Sequence, residues 1–179
     1  MNDSLHWYAL KVFYNKVLAL QSRMTGCGFE CYCPLDPEGK PLIASLLFVR
    51  CAEQQLVAFS REAAGEELKF AIYTRKETRA SHLDNAPTEV DVPAPIPDRE
   101  MRAFILVTSA GPDTYTVLGP DAPKYHTGQK VRVTEGPFSG SEGYIRRIKK
   151  DRRLVITVSG IVAVATVHID PALLEPVNE

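Results

Sequence analysis

Four cysteines, Cys27, Cys31, Cys33 and Cys51, are the most concentrated chemically versatile side chains in this 179-residue sequence. The first three fall within seven residues, spaced C-x3-C-x-C, and so raise metal coordination or redox chemistry. Structural zinc sites draw their thiolates from paired knuckles such as C-x2-C, and this spacing is not one; no histidine lies beside it either. If Cys31 and Cys33 share a strand, both point to one face and Cys27 precedes the strand. The expectation is reduced, structural thiols and no metal. A metal or redox role is the alternative, and stoichiometric zinc in the purified protein would establish it.

His6, His82, His126 and His168 are scattered, none with a Ser, Cys or acid at a catalytic spacing. There is no phosphate loop, no H-E-x-x-H and no dinucleotide fingerprint. A nucleophilic cysteine would need a depressed pKa in a cleft, which spacing does not provide. No catalysis and no cofactor are expected.

The other charged constellation is Arg146, Arg147, Lys149, Lys150, Arg152 and Arg153, which straddles an expected hairpin turn. Clustered cations there suit nucleic-acid phosphates or an acidic protein surface. The plain alternative is a solubilising turn, tempered by Asp151. The formal net charge of −1 excludes a generally polycationic nucleic-acid binder. Residues 1–108 carry 12 Lys/Arg against 14 Asp/Glu, and residues 123–179 carry 9 against 6, so only the C-terminal part is basic. The start, MNDSLHWYAL, has neither a basic nor an apolar leader region, and no apolar run approaches the ~18 residues of a membrane span. A cytoplasmic protein without membrane contact is expected.

The elements that must position these groups divide at about residue 109. His6–Phe13 suits a buried strand. Lys16–Gly26 carries Val17, Leu20 and Met24 at helical spacing, with Asn15 as its cap and Gly26 as its end. Phe29–Cys33 is a short strand, Pro34–Pro41 a turn-rich loop, Leu42–Cys51 a central strand, Glu53–Arg61 a helix and Leu68–Tyr73 a strand. This β-α-β-β-α-β order predicts helices packed on one face of an antiparallel sheet. Thr74–Pro97 is proline-rich and predicted as mostly loop. A helix follows over Pro97–Val107, with Asp98 as its cap or first-turn acid and Met101, Phe104 and Ile105 buried. Ser109–Lys124, with three prolines and two glycines around YTVL, is the expected linker. Beyond it, Lys130–Thr134, Gly143–Ile148, Leu154–Val158 and Val162–Val167 are short strands separated by turns, the pattern of a small closed barrel.

Within that second part, Gly128–Ile145 (GQKVRVTEGPFSGSEGYI) is the most specific segment. Val131 and Val133 alternate inward against Lys130, Arg132 and Thr134; Gly136 and Pro137 turn the chain; Phe138 plugs one end. Gly140 and Gly143 are expected where a Cβ would clash or φ is positive. This segment resembles a KOW motif, which also occurs in ribosomal proteins. The N-terminal part makes the choice: His6-Trp7-Tyr8-Ala9-Leu10 resembles the opening strand of the NusG N-terminal (NGN) domain, Leu42–Arg50 its apolar strand with a Phe48-Val49 pair, and residues 95–101 (PIPDREM) the entry to its last helix. The chain thus resembles the NusG family of transcription elongation and antitermination factors over nearly its whole length. Ile43-Ala44-Ser45-Leu46, where general NusG has an F-P-G-Y-type sequence, brings it closer to specialised paralogues of the UpxY and RfaH groups.

The resemblance implies an α+β protein: a plait-like NGN domain over 1–108, a linker over 109–123, and an SH3-like KOW barrel over 124–179. It implies docking on the clamp helices of the largest RNA polymerase subunit through an apolar depression, at positions matching Phe13, Leu46 and Phe48 with Tyr8 and Trp7 nearby. Non-template DNA or nascent RNA, met by Lys11, Lys16, Arg23, Arg75, Lys76 and Arg79 on the first domain, is a further implied partner. A ribosomal protein or termination factor bound by the barrel is another, although Ser141 replaces the aromatic that serves this in relatives. Alternation places Leu46 and Phe48 on one face of their strand, where exposure would make them a docking patch. The alternative function is a KOW-containing ribosome- or RNA-binding protein.

Overall fold

A computed structural model of the chain describes residues 4–65, 67–80, 87–119, 128–148, 150–159 and 161–177. It is an α+β protein whose described residues form two compact units, Met1–Cys33 with Ile43–Pro95, and Pro34–Leu42 with Ile96–Glu179.

The first unit runs β1 (His6–Val12), α1 (Val17–Gly26), β2 (Glu30–Tyr32), β3 (Leu46–Cys51), α2 (Glu53–Glu62) and β4 (Phe70–Ile72). Its sheet is antiparallel throughout, in the order β2-β3-β1-β4, so a strand of the other β-α-β unit is inserted into each. Register sets the two faces: Tyr8 lies opposite Val49 and Leu10 opposite Leu47, while Ala9 lies opposite Phe48 and Lys11 opposite Leu46. The first set joins Val17, Leu20 and Met24 of α1 and Leu56 and Phe59 of α2 in one core. Phe59 anchors it, edge-on to Phe29 at 5.3 Å and 6.0 Å from Phe70 between ring centroids, contacts worth about 1 kcal/mol each beyond area burial.

The helix ends depart from expectation in detail. Asn15 does not cap α1; Tyr14 and Asn15 both take positive φ, +59° and +55°, in a tight turn that leaves the helix to start without a side-chain cap. At α2, Gln55 Oε1 accepts the Ala52 N–H at 3.2 Å. Alanine has no oxygen to return the bond, so the capping box is half made.

Residues 74–97 are not mostly loop. Thr74–Ala80 (β5) and Pro87–Pro93 (β6) pair as an antiparallel ribbon. Its faces carry alternating charge instead of apolar residues, with Lys76 bound to Asp91 at 3.1 Å and Glu77 within 3.7 Å of both Arg75 and Arg79. Only Val92 and Pro93 at its base are buried. Ladder hydrogen bonds and cross-strand pairs hold such a ribbon, and neither leaves a hydrophobic period in the sequence.

The second unit contains α3 (Asp98–Ser109) and the strands β7 (Tyr115–Gly119), β8 (Lys130–Val133), β9 (Glu142–Ile148), β10 (Asp151–Val158), β11 (Val162–His168) and β12 (Leu174–Pro176). They form one antiparallel sheet in the order β12-β8-β9-β10-β11-β7. The sequence places the break after α3; the compact units divide before it, at Ile96. α3 buries Met101, Ala103, Phe104 and Val107 and packs on β9, β10 and β11; Ile105, expected in that set, is only half-buried. Pro97 stands at its cap position, with Asp98 and Glu100 as first-turn acids. Glu100 accepts the Ser159 N–H at 2.7 Å and its hydroxyl at 3.0 Å, fixing the helix start to the turn after β10. The YTVL stretch inside the expected linker is β7, paired with β11; residues 120–127 lie outside the described residues.

Candidate functional site

The 128–145 segment is built around a turn and four glycines with different duties. Val131 and Val133 of β8 are buried, and Arg132 between them is exposed. Gly136, at φ +85°, turns the chain after Thr134, and Phe138 is buried. The Gly140 N–H donates to the Val133 carbonyl at 2.8 Å and the Val133 N–H to the Ser141 carbonyl at 3.0 Å, closing the turn onto β8. Gly140 has open space around a hypothetical Cβ but sits at φ +83°, so it is required by conformation. Gly143 is the reverse: its φ is ordinary, but a Cβ would meet the Val155 carbonyl oxygen at 2.5 Å. Gly128 meets both demands, with φ +142° and the Ile145 carbonyl oxygen at 2.7 Å from a Cβ.

Ser141 follows this turn and is buried to 2% exposure. Its Oγ has no hydrogen-bond partner among the described residues. Beside it, Glu142 binds Arg132 at 2.6 Å and 3.1 Å, and Arg132 also lies 3.5 Å from Glu175. The Arg132 guanidinium, and more weakly Lys130 and Arg99, hold the Glu142 carboxyl below its ordinary range against the opposing effect of burial.

The hairpin cations separate by strand parity. Arg147 faces Arg152 directly across β9 and β10, both exposed, and among the described residues neither has an acidic partner within 4 Å. Like charges in that register repel. Lys150 is exposed in the turn. Arg146 and Arg153 face one another on the opposite side of the sheet and are half-buried; Arg153 lies 3.7 Å from Asp151 and its Nε is buried without a partner. These two therefore do not project to solvent with the others, because their face continues into the packed Val155, Ala163 and Ala165. Lys149 lies outside the described residues.

In the first unit, Leu46 and Phe48 share a face with Trp7 and Ala9, as alternation requires. They do not form an exposed patch: Phe48 is wholly buried, and Leu46 and Trp7 nearly so. Tyr8 belongs to the opposite face, in the core under the helices. Burial first, then the charge of Glu53, pushes its phenol up to about 12. Phe13 alone of the five is open, at 38% exposure. With Tyr14, Ala63, Leu68 and Phe70, and with Ser60 and Lys69 as its polar members, it lines a recess of about 360 Å³ that sequence reasoning missed. The recess joins three separate stretches, so no local pattern marks it. Of the first-unit cations, Arg75, Lys76 and Arg79 are tied to Glu77 and Asp91 on the ribbon, and Lys11 lies over the Phe13 ring at 5.7 Å.

Cys31, Cys33 and Cys51 all turn to the helix-covered face, as one-faced alternation predicts for the first two. Burial raises all three thiols, Cys33 to about 11 and Cys51 to about 12; Cys27 is exposed at the end of α1. No helix among the described residues is long and apolar enough to cross a membrane. Searches against models of known protein families and against curated proteins returned no match.

Proposed function

We propose that this protein is a transcription elongation or antitermination regulator of the NusG type, acting by binding and not by catalysis. The observation that carries the reading is the pairing of two architectures in one chain. The first unit has the β-α-β-β-α-β order with strand order β2-β3-β1-β4, which suits the plait-like NGN domain. The second has the G-P-F and G-x-x-G turn, with Gly140 at positive φ and Gly143 pressed against β10, in a sheet of short strands that suits a KOW barrel. A ribosome-binding KOW protein accounts for the second unit and leaves the first without a role.

On this reading the first unit grips the clamp helices of the largest polymerase subunit. The open recess at Phe13 is the depression available to them, with Phe13, Leu68 and Phe70 as its apolar members, while Leu46, Phe48 and Trp7 are buried. Non-template DNA or nascent RNA would meet the Arg147, Lys150 and Arg152 group, since the ribbon cations are already matched by acids. A ribosomal protein or termination factor would have to bind the second unit without the aromatic that Ser141 replaces. The departure at residues 43–46 favours an operon-specific paralogue over the general factor.

Co-purification of the tagged full chain from its native cytoplasm tests the reading. RNA polymerase, retained after nuclease treatment, is the expected main partner. Ribosomal particles in place of polymerase would select the alternative.

A further inference from the structure

The second unit holds a groove of about 490 Å³ between α3 and the turn that precedes β9. Arg99 and Arg102 from the first turns of α3 stand on one side, and Arg132 and Glu142 on the other. Three guanidinium groups therefore meet one carboxylate. That carboxylate is already committed to Arg132, whose second acid is Glu175. Neither Arg99 nor Arg102 has an ion pair among the described residues, and both are exposed. Of the two acids on α3, Glu100 is held by Ser159 and Asp98 makes no ion pair among the described residues.

A second, independent feature marks the same place. Ser141 lines the groove, and its buried hydroxyl has no partner among the described residues. A buried hydroxyl without a hydrogen bond costs roughly 1–3 kcal/mol, a cost that a ligand's polar group would relieve.

The rest of the lining selects the ligand class. Leu106, at 38% exposure, supplies an apolar strip on α3 beside the buried Ala103. No aromatic ring lines the groove, so a nucleobase would find no stacking surface there. Paired guanidiniums beside an aliphatic strip fit carboxylates flanking an aliphatic side chain. We propose that this groove binds an acidic peptide segment of a partner protein, with its carboxylates on Arg99 and Arg102 and one aliphatic side chain against Leu106. This site is separate from polymerase docking by the first unit and stands or falls independently of it.

The test is a random decapeptide display library panned on the full chain and counter-selected on the Arg99→Ala/Arg102→Ala variant. The two side chains are exposed, so the variant is expected to keep the wild-type circular-dichroism spectrum. Enriched peptides should carry two or more Asp or Glu around a Leu, Ile or Val. By fluorescence anisotropy they should bind the wild type at least tenfold more tightly than the double variant, and Arg147→Ala/Arg152→Ala should change binding less than twofold. Failure to enrich any peptide that discriminates wild type from variant would overturn the proposal. So would equal loss in the Arg147/Arg152 variant, which would mean diffuse charge attraction. A labelled oligouridylate whose binding depends on Arg99 and Arg102 would assign the groove to RNA and overturn it as well.

Discussion

Replacing Gly143 by alanine should be the more damaging of the two single-methyl changes in the G-x-x-G turn. The added Cβ would lie 2.5 Å from the Val155 carbonyl oxygen, 3.0 Å from Leu154 Cδ1 and 3.2 Å from the Val155 carbonyl carbon. The obstructing group is backbone of the neighbouring strand, which pairs with β9 at Tyr144–Val155, so no side-chain rotation relieves it. Opening the contact to an ordinary distance needs a shift of roughly 0.9 Å, and overpacking of that kind costs about 3 kcal/mol, the upper end of the usual range. Gly140→Ala is the internal comparison. Its Cβ meets nothing within 4 Å, and only the φ of +83° opposes it, a penalty of about 1–2 kcal/mol. Hydrogen exchange of peptides spanning 142–158, followed by mass spectrometry, reads both. Gly143→Ala should speed exchange about 100-fold, as 3 kcal/mol requires, and Gly140→Ala about tenfold. If Gly140→Ala proved the more harmful, the division of labour between these glycines would be refuted.

Ser141→Ala removes a buried hydroxyl that has no partner, so the free protein should gain up to ~1 kcal/mol in the same exchange measurement, while any peptide held in the groove binds more weakly. Glu142 gives a pH signature. Its folded pKa lies below the ordinary 4.5 because of Arg132, so its stabilisation is complete above pH 4.5 and is lost as pH falls through the folded value. Acid unfolding of Glu142→Gln should therefore lack part of the decline seen in wild type below pH 4.5. The thiols should react with iodoacetamide at pH 8 in order of access: Cys27 first, then Cys31, with Cys33 and Cys51 labelled only on unfolding, since their pKa values near 11 and 12 leave almost no thiolate. Labelling of Cys51 as fast as Cys27 would contradict the buried position assigned to it.

Sequence pattern carried the parts of this fold that depend on a single element. Val17, Leu20 and Met24 announce the buried side of α1, and Val131 and Val133 the buried side of β8, because periodicity is a local property. Parity placed Leu46 and Phe48 together on one face, yet exposure depends on what lies over that face, and both are buried. The β5–β6 ribbon escaped because charge pairs hold it and no apolar alternation betrays it. Met101 and Phe104 indicated that α3 buries one side; they carried no information on which strands would receive it. The basic run 146–153 looked like one surface in the sequence. Strand pairing sends Arg147 and Arg152 one way and Arg146 and Arg153 the other. The groove at Ser141 joins residues 99–106 of α3 to residues 132–142, and nothing in the local sequence links the two stretches.

A photo-reactive amino acid in place of Phe13, in the full chain mixed with RNA polymerase elongation complexes, tests the central claim most directly. The account predicts a cross-link to the coiled-coil clamp helices of the largest subunit, weakened when Tyr14 or Leu68 of the same recess is replaced by serine. Cross-links that fall on ribosomal proteins when ribosomes are supplied, with none on polymerase, would contradict it.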